Sequence, residues 1–370
     1  MSRLFETTEI NGMELSNRFM RSATWEGMAT EDGATTHQLI DHIERLAQGG
    51  VGLIISSHSY VRQDGQANLK QLGIYKDELI DGLKKLTDTV HNLDGKIVIQ
   101  ITHAGLFANP KFTGSVPLAP SSVEGFSESP QKEMTKGDIH EIIEAFVSSA
   151  NRAKKAGFDG IQIFAGHGYL LSQFLSPFFN RRTDEYGGDV EGRAKLLLEI
   201  LNKVRIVVGQ DYPFLVKMNS EDFLEGGFTL AESLRVGDML CKGGIDAIEL
   251  SGGTWISGKN IPSRAKVISE DKEAYFWKAA DSFKKEIDIP LSLVGGIRSF
   301  DLAQRLVAKG VTDYISMCRP FIREPDLINR WRAGNLFRAT CISCNQCIAA
   351  GKAGKGIYCV EERKLKDKTP

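Results

Sequence analysis

The 370-residue sequence has no long hydrophobic run. Its longest apolar stretches, such as Val51-Gly52-Leu53-Ile54-Ile55, fall far short of the roughly 20 residues a membrane helix needs. The N-terminal Met1-Ser2-Arg3-Leu4-Phe5-Glu6 lacks the apolar core of a signal peptide, so a cytoplasmic protein is expected. Charge of one sign is lacking too: 46 Lys and Arg against 47 Asp and Glu leave a formal net charge of −1. That balance speaks against a polybasic membrane patch and against a nucleic-acid surface. The 6 cysteines are too few for a disulfide scaffold in a chain of this length. There is no internal repeat, no low-complexity tract, and no G-x-G-x-x-G after an early strand.

What the sequence does have is regular alternation. Apolar runs read as strands at 17–23, 52–57, 96–102, 160–165, 213–219, 246–251, 290–295 and 313–318. Helical periods fall between most of them, at 37–49, 77–93, 136–156, 193–208, 229–242, 271–286 and 299–309. In 136–156, Ile139, Ile142, Ile143, Phe146 and Val147 share one face. Thr135 with Asp138 reads as a capping box there, and Gly157 as the stop. Eight strands alternating with helices predict an α/β fold, a single-domain TIM (β/α)8 barrel over 1–335. A doubly wound sheet is the other architecture weighed. Residues 336–370 leave the pattern and read as a short Cys-rich C-terminal extension with a basic, frayed end. The long connections 105–135 and 168–192 both follow strands, so they are expected to cap the catalytic mouth of the barrel.

Candidate site residues gather at strand ends. Val294-Gly295-Gly296-Ile297 ends the seventh strand and Ser316-Met317-Cys318-Arg319 the eighth. The loops after those two strands often hold phosphate on backbone amides. Gly295 and Gly296 permit close approach, and Arg319 adds a fork of donors. Gln100 in the third strand and Lys217 in the fifth suit a planar ligand: glutamine offers a donor and an acceptor, and lysine stabilises negative charge. Taken alone, each reads better as a strand cap or part of the barrel's polar layer; together with the phosphate loops they describe an elongated, phosphorylated, planar ligand. After the fourth strand, His167 and Tyr169 lie two residues apart, so on an extended backbone both side chains point the same way. One can hold a carbonyl oxygen while the other gives up a proton. Cys341-x2-Cys344-x2-Cys347-x11-Cys359 has the spacing of an iron–sulfur ligand set, with structural zinc as the lesser alternative. Cys241 reads as a small hydrophobe on a helix face, and Cys318 as a filler beside the phosphate loop.

The stretch Phe164-Ala165-Gly166-His167-Gly168-Tyr169-Leu170-Leu171, running on to Asn180 through Gly188, closely resembles the Old Yellow Enzyme family of flavin-dependent ene-reductases. Asn17-Arg18, Gly52 through Ile55, Gln100 with His103-Ala104-Gly105, Lys217 and Cys318-Arg319 extend the likeness over about 1–335. Arg182-Thr183-Asp184-Glu185-Tyr186-Gly187-Gly188 is its most specific piece. The resemblance implies FMN as cofactor, with Ala23, Thr24 and His58 offering backbone groups and Gln100 and Lys217 gripping the ring. It implies NADH or NADPH as reductant and a small-molecule alkene conjugated to a carbonyl as substrate. His167 would hold the carbonyl and Tyr169 would protonate the α-carbon.

Two departures touch the substrate pocket. Phe164 stands where the family usually has the first member of a His-x-x-His or His-x-x-Asn pair, and Trp25 where it often has Thr or Cys. His58 also replaces a usually small residue. The cysteine tail resembles the region after the barrel in 2,4-dienoyl-CoA reductase and trimethylamine dehydrogenase, larger flavoproteins that hold a [4Fe–4S] cluster there. Those enzymes continue into nucleotide-binding domains, whereas this sequence stops at Pro370. Three expectations stay open for the tail: a cluster exchanging electrons with a partner protein, a zinc site, or bare remnant thiols. An ene-reductase, an electron-transfer flavoprotein subunit and a non-catalytic flavin binder are the corresponding functions weighed. Many relatives are oligomers, and the resemblance leaves a homo-oligomer open.

Overall fold

The computed structural model describes residues 2–123 and 130–367. Eight parallel strands close into a barrel: β1 (Phe19–Arg21), β2 (Leu53–Tyr60), β3 (Ile97–Thr102), β4 (Gly160–Ala165), β5 (Phe214–Asn219), β6 (Ala247–Ser251), β7 (Leu291–Leu293) and β8 (Tyr314–Met317). Each strand pairs with its neighbours in sequence, and β8 returns to β1. Seven helices run back outside: α1 (His37–Gln48), α2 (Ile80–His91), α3 (Lys136–Lys155), α4 (Val190–Val208), α5 (Leu230–Lys242), α6 (Trp277–Glu286) and α7 (Phe300–Ala308). This is the expected TIM (β/α)8 barrel. The strands are buried on both faces, which is why they read as near-continuous apolar runs. No helix among the described residues is long and apolar enough to cross a membrane.

Local signals set the helix ends. Thr135 accepts from Asp138 N while the Asp138 carboxylate accepts from Thr135 N, a complete capping box, and Thr229 with Glu232 repeats it on α5. Gly157, just past α3, takes φ +81°, a left-handed position that suits glycine. One helix start differs from expectation. The period over 271–286 begins as a helix only at Trp277, because Glu273 is buried and its carboxylate accepts from Arg298 N, Ser299 N and the Ser299 hydroxyl. Those bonds hold 273–276 out of a helical path, between a single 3-10 turn at Glu270–Lys272 and the α-helix that starts at Trp277.

The interior of the barrel has two layers. Its lower layer is apolar: Met20, Leu53, Ile55, Val98, Leu215 and Ala247 pack with Ile10, Met13 and Leu15. The last three come from an N-terminal hairpin, 8–10 against 13–15, that plugs this end. At the other end lie the two long connections, of which 124–129 falls outside the described residues. The C-terminal extension folds back on the barrel. Ala339 N donates to Arg298 O, Lys266 N to Ser343 O, and Ile357 N to Glu26 O. The final three residues of the basic end lie outside the described residues.

Candidate active site

The upper layer of the interior is a buried polar chain. Gln100 Nε2 donates to Gln162 Oε1 (2.7 Å), and Gln162 Nε2 donates to Glu249 Oε2 (3.0 Å). Glu249 Oε1 then accepts from Lys217 Nζ (3.1 Å) and from Ser22 Oγ (2.6 Å). Strand register creates this chain, since Gln100 pairs with Gln162 across β3 and β4, and Lys217 with Glu249 across β5 and β6. Glu249 is 1% exposed, and its carboxylate is satisfied by three donors, Gln162, Ser22 and the Lys217 cation.

Above this chain opens a cavity of about 470 Å³. Ala23, Thr24, Trp25, His58, Gln100, Phe164, His167, Tyr169, Lys217, Gly296, Cys318 and Arg319 all line it. Gly295 does not. It lies behind the wall, where its carbonyl accepts from Tyr275 N (3.2 Å). A Cβ on Gly296 would sit 2.8 Å from a Tyr275 ring carbon, and its φ of +74° is left-handed, so packing and backbone both call for glycine here. Arg319 Nη1 donates to Arg264 O and to Asn345 Oδ1, both at 2.8 Å, which aims the guanidinium. Thr24 Oγ1 and Cys318 Sγ are 3.0 Å apart, so Cys318 is hydrogen-bonded as well as space-filling.

His167 and Tyr169 reach the cavity by a route the sequence did not reveal. They do not share an extended strand. β4 ends at Ala165, His167 takes φ +58° and Gly168 φ +82°, and Tyr169 caps a short helix, Leu170–Leu175. Alternation of side chains therefore does not apply; a left-handed turn aims both. Asn219 holds that turn, its Oδ1 accepting from His167 N (3.0 Å) while its Nδ2 donates to Asp222 Oδ1 and Gly253 O. His167 Nε2 lies 2.7 Å from Ser251 Oγ, and burial keeps the ring well below its ordinary pKa and neutral. The Tyr169 hydroxyl is 3.5 Å from Asn68 Nδ2. Burial raises the phenol far into the alkaline range, and the Asn68 amide opposes that only in part. His58, Phe164 and Tyr169 form one aromatic wall, with Tyr169 ring centroids 5.6 Å from His58 and 5.1 Å from Phe164. Trp255, 43% exposed, stands edge-on to His167 at 6.3 Å on the mouth side.

Trp25 is a wall rather than a polar contact. Its Nε1 donates to Leu69 O (3.0 Å) and its ring packs where Gly351 of the tail leaves room. The tail helix Gln346–Lys352 thereby closes one side of the cavity, contributing Cys347, Ile348 and Lys352. Behind it lies a second, small cavity lined by Cys341, Cys344, Cys347 and Cys359, together with Arg319 and Arg323. Cys347 borders both cavities. Burial pushes its thiol up to about 12 and raises Cys341 as well. Among the described residues no three His, Cys, Asp or Glu side chains converge as ligands of one metal ion; the four thiols instead surround a space. Cys241, half-buried on α5, belongs to neither cavity, and burial raises it to about 11.

A family model for the NADH:flavin oxidoreductase / NADH oxidase family matches residues 3–335. The chain belongs to that family. It is 37% identical over 361 residues to the NADH oxidase of Thermoanaerobacter brockii, covering 96% of this chain and 54% of that protein. It therefore spans little more than half of this longer relative. The solved structure of a 2-naphthoyl-CoA reductase in complex with 2-naphthoyl-CoA superposes with TM-score 0.90 at 29% identity, over 100% of this chain and 58% of the other. The old yellow enzyme homologue from Zymomonas mobilis superposes with TM-score 0.77 at 26% identity, over 92% of this chain and 95% of its own.

For this flavin oxidoreductase family member, several site residues escaped the sequence reading. Ser22, Gln162 and Glu249 lie inside apolar strand runs, where a lone polar residue looks like a cap. Asn68 and Ser251 carry no local motif. Arg298, two residues past Gly296, is 2% exposed and lines the main cavity. Its Nη1 donates to Cys341 O, which ties the glycine loop to the cysteine segment.

Proposed function

We propose that this chain is an FMN-dependent NAD(P)H oxidoreductase that reduces a carbon–carbon double bond conjugated to a carbonyl. The observation that carries the reading is a single cavity that brings Gln100, Lys217, Gly296 and Arg319 together with His167 and Tyr169. The residues present fit FMN. Gln100 and Lys217 supply a donor–acceptor pair and a cation for the ring. At the other end, Arg298 Nε and Nη2 make no hydrogen bond among the described residues, Nη2 meeting only the Glu273 carboxylate at 3.8 Å. A phosphate beside Gly296 and Arg319 supplies the acceptors such buried donors need. Ala23, Thr24 and His58 add backbone groups, and Trp25 and Phe164 are walls.

A flavin held here would supply two-electron hydride chemistry between a nicotinamide and the β-carbon of the alkene. The chain's own residues handle charge and protons. His167, braced by Ser251, faces the carbonyl oxygen, where enolate charge develops. The Tyr169 hydroxyl gives its proton to the α-carbon and is reprotonated from solvent. Its raised pKa keeps that proton in place at neutral pH, so the phenol acts as an acid only toward a strongly basic carbon. The test separates the two half-reactions. Tyr169→Phe slows alkene reduction by pre-reduced protein about 100-fold or more, and leaves flavin reduction by NAD(P)H unchanged. Equal loss in both half-reactions sinks the proton-donor role.

One observation favours a second role. Four thiols around one small cavity fit a [4Fe–4S] cluster, in which each iron takes its own cysteine, better than a zinc ion with converging ligands. Because Cys347 borders both cavities, a cluster held there lies next to the flavin site and would exchange electrons with a partner protein. Iron and sulfide content of protein purified without oxygen checks this, together with its visible spectrum. About four irons per chain support the cluster; one zinc, or no metal, overturns it.

A further inference from the structure

His58 is the one partly exposed residue of β2, whose other seven residues are buried. A register shift between Ile55 and His58 turns it into the main cavity. Its ring has a single proton, and the neighbouring Gln71 decides where that proton sits. Gln71 Oε1 accepts from Ala67 N (2.9 Å) and Asn68 N (3.1 Å), so its orientation is fixed by two backbone donors. Its Nε2 therefore faces His58, donating to the His58 carbonyl oxygen (2.9 Å) and to His58 Nδ1 (3.1 Å). An amide nitrogen can only donate, so Nδ1 accepts and the neutral ring carries its proton on Nε2. Burial keeps the ring below its ordinary pKa, which favours this neutral form. No partner for Nε2 is found among the described residues. His167 differs, because its Nε2 is engaged by Ser251 at 2.7 Å.

We propose that His58 Nε2–H is a substrate-binding donor that grips the carbonyl oxygen of the alkene substrate beside His167. The surroundings make this donor selective. Phe164 stacks on the His58 ring at 6.3 Å with a 20° tilt, and Tyr169 flanks it, so the N–H is a lone polar point in an aromatic wall. An oxygen placed there gains a hydrogen bond in a low-dielectric setting, and an apolar group leaves the N–H unsatisfied. The ligand class is a flat cyclic or aryl compound with one carbonyl oxygen at its edge. This assignment rests on the alkene-reductase reading above.

The test uses oxidised holoenzyme without reductant, titrated with 2-cyclohexen-1-one and followed by flavin absorbance. His58→Phe keeps a ring of similar size and removes the donor; His58→Gln restores one. The expected result is a Kd weakened about tenfold in His58→Phe and within about threefold of wild type in His58→Gln, with flavin affinity unchanged in both. His58→Leu carries the same comparison if the Phe variant does not fold. An unchanged Kd in the donor-less variant overturns the assignment while leaving the alkene-reductase reading intact. So does a loss of flavin affinity with an unchanged ketone Kd, since the N–H then faces the cofactor. Wild-type holoenzyme that binds no ketone overturns both.

Discussion

Val98 and Gln100 stand two residues apart on β3, as do Leu215 and Lys217 on β5 and Ala247 and Glu249 on β6. Strand alternation turns both members of each pair into the barrel. The lower members join Leu53, Ile55 and the N-terminal hairpin in a sealed apolar layer. The upper members join in a hydrogen-bonded chain that forms the floor of the cavity. The same strands therefore build a layer that holds the fold and, one step higher, a layer that fixes charges. Apolar contacts need only volume and tolerate exchange, whereas the upper chain needs each donor opposite its acceptor.

Breaking the lower layer gives the largest effect. Leu215→Ala is expected to cost about 2–5 kcal/mol of stability in urea unfolding, with the flavin potential of the remaining folded protein unmoved. A shifted potential would mean that the two layers are not separable. Glu249→Gln tests the upper layer and has a smaller effect on folding, because the amide oxygen still accepts from Lys217 and Ser22 and only the bond from Gln162 is lost. It removes a negative charge beside that cation, which favours an anionic reduced flavin. The midpoint potential of the bound flavin is expected to rise by about 30 mV, a tenfold change for a two-electron couple. Loss of stability with no change of potential would make the upper layer a second packing layer.

Much of the barrel was legible because each βα unit declares itself locally. Apolar runs marked all eight strands, and cap residues such as Thr135 placed helix starts within a few positions. The hairpin at 8–15 was not legible, since three-residue strands are too short to show a period. Likewise Glu273 gives no local sign that its bonds to Arg298 and Ser299 will unwind the start of α6. Within the site, Gln100, Lys217 and Arg319 stood out by position at strand ends. Gln162, Glu249 and Asn68 did not, because strand register joins the first two to their partners and loop packing brings Asn68 to Tyr169. His167 and Tyr169 reach the cavity on a different backbone from the expected strand: the left-handed turn depends on Asn219, some 50 positions away. The hydrogen-bonding role of His58 was equally hidden, because Gln71 orients it from outside the strand.

The seam between β8 and β1 has a consequence for assembly. Ala23 and Thr24 leave one strand and Cys318 and Arg319 leave the other, and Thr24 meets Cys318 across 294 positions of sequence. A growing chain holds only part of the cavity until its eighth strand docks. A ligand that spans the seam then acts as a latch, drawing the first and last strands together by mass action. At a hundredfold excess over its dissociation constant, such a ligand adds about 2.7 kcal/mol to the closed state.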